Sequence, residues 1–258
     1  MGSRMGPLGK IQPKCLLPIS EKTILQQTIE NMDSAGCSQI VVVTGHMAEL
    51  IKHPSITTVH NPNYKQNNIL FSLMYAREFM FGPTIVSYSD IWVEPQIYKT
   101  LLETPGDLVC AVDIDWQTYY EERTEHPIDE AENVYIRSDN TIDSIGKNVG
   151  SIPPQGMQSG EFLGLWRMSK NGAQIFRENF DLLNQRLDPI TAFGNAAEWQ
   201  KAYVSDMLQY LIEMETRVVC AITKRGWAEI DTTQDYDRIY EIARTQYLTT
   251  MLASTTNS

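Results

Sequence analysis

A basic face is the first thing this sequence lacks. Lysine and arginine total 21 against 32 acidic residues, for a net charge of −11 at pH 7. Proteins that grip nucleic-acid phosphates need such a face, and so do those drawn to anionic membrane surfaces; neither partner is expected. Cysteine is sparse: Cys15, Cys37, Cys110 and Cys220 stand far apart with no CxxC pair. That removes zinc-knuckle and dithiol redox chemistry and leaves four small hydrophobes. His46, His53, His60 and His126 have neither metal-ligand spacing nor a G-x-S-x-G partner, so a hydrolase triad has no support. No apolar run approaches the ~20 residues of a membrane span, and no signal peptide is visible. A cytoplasmic location is the expectation.

What is present reads as one globular domain over residues 1–258, with 42% hydrophobic and 21% charged residues. Segments of helical and strand character alternate. "EKTILQQTIENMDSAG" puts Ile24, Leu25, Thr28, Ile29 and Met32 on one helical face and stops at Gly36. "SQIVVVTG" is a short continuous apolar run, the pattern of a strand buried on both faces. "NNILFSLMYAREFMF" reads as a buried helix, "PTIVSYSD" as a strand, "EPQIYKTLLE" as a helix and "GDLVCAVD" as a strand. This rhythm predicts an α/β fold: a Rossmann-like mixed, mostly parallel sheet with helices on both faces. Residues 113–160 are polar and turn-rich, with short strand candidates at "NVYIR" and "TIDSIG". They are expected to form a lid or hairpin insertion, too poor in apolar residues for a core of their own. "GEFLGLWRMS", "KNGAQIFRENFDLLNQRL" and "RVVCAITKRGWAEID" then read as strand, helix and strand. A last helix is expected from about Thr233 to Leu252, with Thr232 and Asp235 in capping-box positions.

In open α/β sheets, ligands sit beyond the carboxyl ends of strands. The residues that close apolar runs there are Thr44 with Gly45, Asp90, Asp113 and Asp231. Two carboxylates at neighbouring strand ends suit Mg²⁺, which takes oxygen ligands and keeps part of its shell for substrate phosphates. A single Asp in such a place more often starts a turn. The opening stretch "GSRMGPLG…PKCLLPI" adds Gly2, Gly6, Gly9, Arg4 and Lys14. Glycines let a backbone approach phosphate oxygens, and cations neutralise charge on a departing pyrophosphate.

Those residues carry a resemblance. "GSRMGPLG", "PKCLLPI", "TILQQTIENMDSAGCSQIVVVTGHMAELI" and "NPNYKQNNILFSLMYA" look like the nucleotidyltransferases of the sugar-nucleotide pyrophosphorylase type. The family pattern is G-x-G-[ST]-R-[ML]-x-P-L followed by P-K. Here Gly2-Ser3-Arg4-Met5, Pro7-Leu8 and Pro13-Lys14 match it. "DIDWQTYYEERTEHPIDEAENVY", "IGK", "GEFLGLWRMS" and "AEIDTTQDYDRI" continue the match toward the branch that makes CDP-choline or CMP-phosphonates. Family members carry an apolar first strand ending in A-A-G before the G-S-R loop, and this sequence shows neither that strand nor the first glycine of G-x-G.

The resemblance implies transfer of a cytidylyl group from CTP to a small phosphonate or phosphocholine-like acceptor. It implies catalytic roles for Arg4 and Lys14, and Mg²⁺ held by Asp90 and Asp231. Nucleotide contacts are expected from Gly2, Ser3, Met5, Gly45, Asn68, Ser72 and Ser89, with Asn68 equally suited to cap a helix. Acceptor contacts are expected from Asp113, Trp116, Tyr119, Arg123, Lys147 and Glu161. Aromatic faces with carboxylates suit an ammonium group, and Arg123 and Lys147 suit an anionic end. The resemblance allows a homodimer. A sugar-1-phosphate nucleotidyltransferase and a non-catalytic nucleotide-binding module are the competing expectations.

Overall fold

Continuous apolar runs set the strands of the sheet, and helices with one apolar face cover it. The computed structural model of the chain describes residues 3–121 and 123–242. In chain order the regular elements are α1 (Leu8–Ile11), β1 (Pro18–Ile19), β2 (Lys22–Thr23), α2 (Ile24–Ser34), β3 (Ile40–Thr44), β4 (Ile56–His60), α3 (Ile69–Met74), β5 (Thr84–Ser87) and β6 (Ile91–Val93). There follow α4 (Pro95–Glu103), β7 (Leu108–Asp113), α5 (Gln117–Tyr120), β8 (Asn133–Ile136), β9 (Ile142–Gly146) and β10 (Gln158–Met168). The described chain closes with α6 (Lys170–Arg186), α7 (Val204–Glu213), β11 (Val218–Thr223), β12 (Trp227–Glu229) and helix over residues 233–242.

Local chemistry explains the helix ends. The Thr23 side chain accepts from Gln26 N while the Gln26 side chain accepts from Thr23 N, a reciprocal cap that starts α2. Gly36, at φ +83°, turns the chain out of it. The cap expected of Thr232 and Asp235 forms: Asp235 N donates to Thr232 Oγ1 at 3.1 Å and Thr232 N to Asp235 Oδ2 at 2.9 Å. The far end of that helix, toward Leu252, lies outside the described residues.

The main sheet runs β11-β7-β10-β8-β9, with β5 also on β10. It is mixed as expected, but its pairings are antiparallel except β7–β11; β3 and β4 form a separate parallel pair. The long central β10 runs against β5, β7 and β8, so the sheet is less parallel than the βα rhythm predicts. Gly164 explains how one strand serves both β8 and β5. Its φ of +75° coincides with a register shift between Phe162 and Trp166. A Cβ there would stand 2.3 Å from the Tyr88 ring, so only glycine lets that ring lie against the strand.

Alternate residues of β7, β10 and β11 feed two cores. Leu108, Cys110, Val112, Trp166 and Cys220 pack with α3, α6 and α7. Val109, Ala111, Leu163, Leu165 and Val219 pack with α4. Of the lid or hairpin expected over 113–160, the hairpin forms. This β8–β9 hairpin extends the main sheet, and Val134, Ile136, Ile142 and Ile145 bury themselves in the larger core, which it borrows rather than builds.

Among the described residues β3 pairs only with β4, and β5 only with β10. A groove of about 980 Å³ lies between their free edges, floored by side chains of α2 and α3. Val41, Val42, Val43, Ile85 and Val86 are therefore only half-buried, unlike β7, which is buried throughout. Among the described residues no helix is long and apolar enough to cross a membrane.

Candidate active site

The site begins with one hydrogen bond between two strand ends. β6 and β12 pair antiparallel, with Glu229 opposite Ile91, and Ile230 N donates to Asp90 O at 2.9 Å. This pairing brings Asp90, beyond the end of β5, to Asp231, beyond the end of β12. Both line a cavity of about 340 Å³ together with Arg4, Lys14, Glu161 and Glu229.

Lys14 follows Pro13 in a short 3-10 turn, and its ammonium bonds to Asp231 Oδ1 and sits 3.4 Å from Asp90 Oδ2. Burial disfavours that charge, but Asp90 and Asp231 outweigh it and hold the Lys14 pKa above its usual value. Arg4 forks between two elements, with Nη1 on Glu130 Oε2 at 2.7 Å and Nη2 on Asp231 Oδ2 at 2.6 Å. Burial raises Asp90, and the neighbouring Asp231 adds to it against the pull of Lys14. In Asp231 burial also pushes upward, but Lys14 and Arg4 prevail and hold it below the usual carboxylate range.

Two carboxylates flanking one ammonium form an all-oxygen donor pair that suits Mg²⁺. A mixed set also meets here: His126, Glu229 and Asp231 offer donor atoms within 4.8 Å of one another. Arg123 Nη2 lies 3.0 Å from His126 Nδ1, and a guanidinium can only donate, so that nitrogen's lone pair is already taken. Burial, aided by Arg123, lowers the His126 pKa to about 4, and the ring is neutral at pH 7. The arrangement favours the carboxylate pair.

The same cavity contains a second polar group. Glu161 of β10 is 3% exposed; its Oε1 accepts from Tyr120 OH at 2.6 Å, and its Oε2 has no hydrogen-bond partner among the described residues. Burial pushes its pKa up to about 8. Glu132, just before β8, accepts from Ser205 OH and from Tyr88 OH at 3.3 Å. The two carboxylates are neighbours, since Glu161 is in register with Asn133, the residue after Glu132. Lys147 reaches the cavity with its ammonium 4.9 Å from the Tyr203 ring centroid.

The structure thus brings Arg4, Lys14, Asp90, Asp231, Lys147, Glu161 and Asn68 to one cavity. Asn68 is at the N-cap position of α3 without capping it, and its Nδ2 donates to Lys201 O at 3.1 Å. Ser72 and Ser89 line the neighbouring groove, which shares Asn68, Ile69 and Tyr88 with the cavity. Gly2 lies outside the described residues, and of Ser3 only the backbone turn is described.

Several expected contacts are structural instead. Met5 is fully buried among Leu17, Ile19, Trp92 and Ile230, so its side chain is a core residue. Gly45 accommodates Tyr64, whose Cβ would lie 2.7 Å from an added Cβ. Asp113 is fully buried and spends its oxygens on Arg225, Trp227 Nε1 and the Asp115 amide, leaving nothing for an acceptor. Trp116 packs with Tyr120 and Ala131, and Tyr119 underlies the guanidinium groups of Arg123, Arg225 and Arg238. Arg123 is locked to Asp235 at 2.6 Å and cannot receive an anion without breaking a buried pair. Glu132, Tyr88, Tyr203 and Glu229 were not expected. Only the acidic run "DEAENVY" and the residue two before Asp231 gave a signal for the carboxylates, and nothing local marked the two tyrosines.

A mixed sheet whose strand ends gather cations and carboxylates around a cavity of small-molecule size is a nucleotidyltransferase fold. The MobA-like NTP transferase domain model matches residues 1–134, and the chain belongs to that family. The CTP:phosphoglutamine cytidylyltransferase of Campylobacter jejuni is 26% identical over 247 residues, covering 92% of this chain and 94% of its own. The 2-aminoethylphosphonate cytidylyltransferase of Lancefieldella rimae is 26% identical over 102 residues, 37% of this chain and 42% of its own. The structure of the CTP:phosphocholine cytidylyltransferase from Streptococcus pneumoniae superposes with a TM-score of 0.65 at 18% identity, covering 93% of this chain and 94% of that one.

Proposed function

We propose that this chain transfers a cytidylyl group from CTP to a small acceptor that carries a phosphate or phosphonate and a cationic end. The observation that carries the reading is the meeting of Arg4, Lys14, Asp90 and Asp231, distant in sequence, in a single cavity. A relative that matches along 92% of the chain is a CTP:phosphoglutamine cytidylyltransferase, and a relative matching 37% of it is a 2-aminoethylphosphonate cytidylyltransferase.

An acceptor oxygen attacks the α-phosphorus of CTP. The new O–P bond forms as the bond to the β-phosphate oxygen breaks, and pyrophosphate leaves with that electron pair. Such a transfer depends on positioning and charge stabilisation rather than on a covalent enzyme intermediate. Arg4 and Lys14 neutralise the triphosphate and the departing pyrophosphate. Asp90 and Asp231 would hold Mg²⁺, which when bound offsets charge on the α-phosphate and the incoming oxygen. Lys147 meets the acceptor's anionic group, and Glu161 with Glu132 its cationic end.

Pyrophosphate release tests this, with CTP and Mg²⁺ against 2-aminoethylphosphonate, phosphocholine and glucose-1-phosphate. Release with an amino or choline acceptor, lost in Asp90→Ala, is the expected result. Release with the sugar phosphate alone would overturn the acceptor assignment, and silence from a folded protein with every acceptor would overturn the transfer itself.

A further inference from the structure

Glu161 presents an unmet chemical demand. The residue lines the cavity and is 3% exposed; Tyr120 OH satisfies Oε1, and the buried Oε2 has no hydrogen-bond partner among the described residues. A buried carboxyl with one oxygen unpaired is held in its neutral form by burial, and an ammonium brought to it would supply the missing partner and return it to the carboxylate. Glu132, one residue before β8, adds a second carboxylate to the same wall and already accepts from Ser205 and Tyr88. The aromatic surfaces of Tyr88 and Trp227 border the same space.

A quaternary ammonium offers charge but no N–H. A primary ammonium offers three N–H donors and the same charge in a smaller volume. A charge-assisted N–H···O bond is roughly twice as strong as a neutral one, and a polar site left unpaired rejects a ligand that lacks the matching group.

The geometry points to a primary ammonium as the cationic end of the acceptor, donating to Glu161 Oε2, with Glu161 as the residue that discriminates against a trimethylammonium. This rests on the transfer reaction proposed above, but it concerns recognition and can be measured without turnover. Lys147 takes the phosphonate or phosphate end, so the acceptor is a short zwitterion with a primary amine.

The test is calorimetric titration of the protein with 2-aminoethylphosphonate and with its N,N,N-trimethyl analogue, alone and with a non-hydrolysable CTP analogue. The amine is expected to bind at least tenfold more tightly than the trimethyl compound. In Glu161→Gln, which stays isosteric, that preference is expected to fall below threefold. Glu132→Gln is a second variant should the first fail to fold; it is expected to weaken both ligands alike and leave the ratio above fivefold. Equal or tighter binding of the trimethyl compound overturns the assignment. So does a tenfold preference that survives in Glu161→Gln, or no binding of either ligand at 10-millimolar concentration with the nucleotide analogue present. Amine preference without pyrophosphate release would sink the transfer reaction and keep the subsite. Release with both acceptors at equal kcat/KM would do the reverse.

Discussion

Replacing Glu161 by Gln removes one ionisable group from the interior of β10, and its consequence for stability can be worked from the structure. Burial moves the carboxyl from its ordinary value of 4.5 to about 8, against the opposing pull of Tyr120 and Arg123. The other charged groups acting on it are Asp113, Arg225 and Glu229. Between those two values the folded protein holds a proton that the unfolded chain has released. Stability from this group is therefore intact below about pH 4.5 and is lost as pH rises through about 8. The loss is about 1.4 kcal/mol per pH unit and about 5 kcal/mol across the window, as an order of magnitude. Gln does not titrate, so the mutant gains on the wild type by that slope as pH rises. Urea unfolding of both proteins from pH 5 to 8 measures the difference, and the other titrating groups cancel in it. A stability difference that stays flat across the range would refute the buried, donor-poor environment assigned to Glu161.

Three further outcomes follow from the packing. Met5→Ala destabilises by about 2–5 kcal/mol, as a core truncation, read from urea unfolding; a change below 0.5 kcal/mol would contradict its place beneath Trp92 and Ile230. Asp113→Ala strands Arg225 and Trp227 and destabilises by about 3–5 kcal/mol, read from urea unfolding; a change below 0.5 kcal/mol would contradict its role as the buried partner of both. An apolar strand-forming peptide of about six residues added in trans occupies the groove between β3 and β5 and raises Tm by roughly 2–4 °C for each kcal/mol its binding contributes. Unchanged Tm and unchanged amide exchange at Val41–Val43 would show that the peptide does not enter the groove.

Much of the fold was legible because its signals are local. The α2 cap at Thr23, the turn at Gly36 and the cap of Thr232 with Asp235 each depend on residues within a few positions of one another. The balance of parallel and antiparallel pairing was not legible, because it depends on β10 changing partners at Gly164, a choice set by the distant Tyr88 ring. The apolar "IVVVT" run promised burial on both faces, and Val41–Val43 are only half-buried where β3, paired only with β4 among the described residues, borders the groove.

The site divides along the same line. Arg4, Lys14, Asp90 and Asp231 were readable from their motif and their strand-end positions, and they do meet. The aromatic segment around Trp116 suggested a cation pocket, yet Trp116 packs with Tyr120 and Ala131, and Tyr119 and Tyr120 lie under the buried Arg123. Sequence cannot distinguish an aromatic ring that faces a ligand from one that faces a guanidinium of the same protein. Glu132 and Tyr88 enter the cavity only through tertiary contacts, Ser205 OH to Glu132 and Tyr88 OH to Glu132.

The central claim is tested most directly by following phosphorus NMR of the protein with CTP, Mg²⁺ and 2-aminoethylphosphonate. The account predicts a pair of mutually coupled signals, one phosphonate and one phosphate, growing in step with free pyrophosphate and absent in Asp231→Ala. Pyrophosphate with CMP but no coupled pair would mean hydrolysis rather than transfer. Unchanged CTP in the presence of folded protein would contradict the account outright.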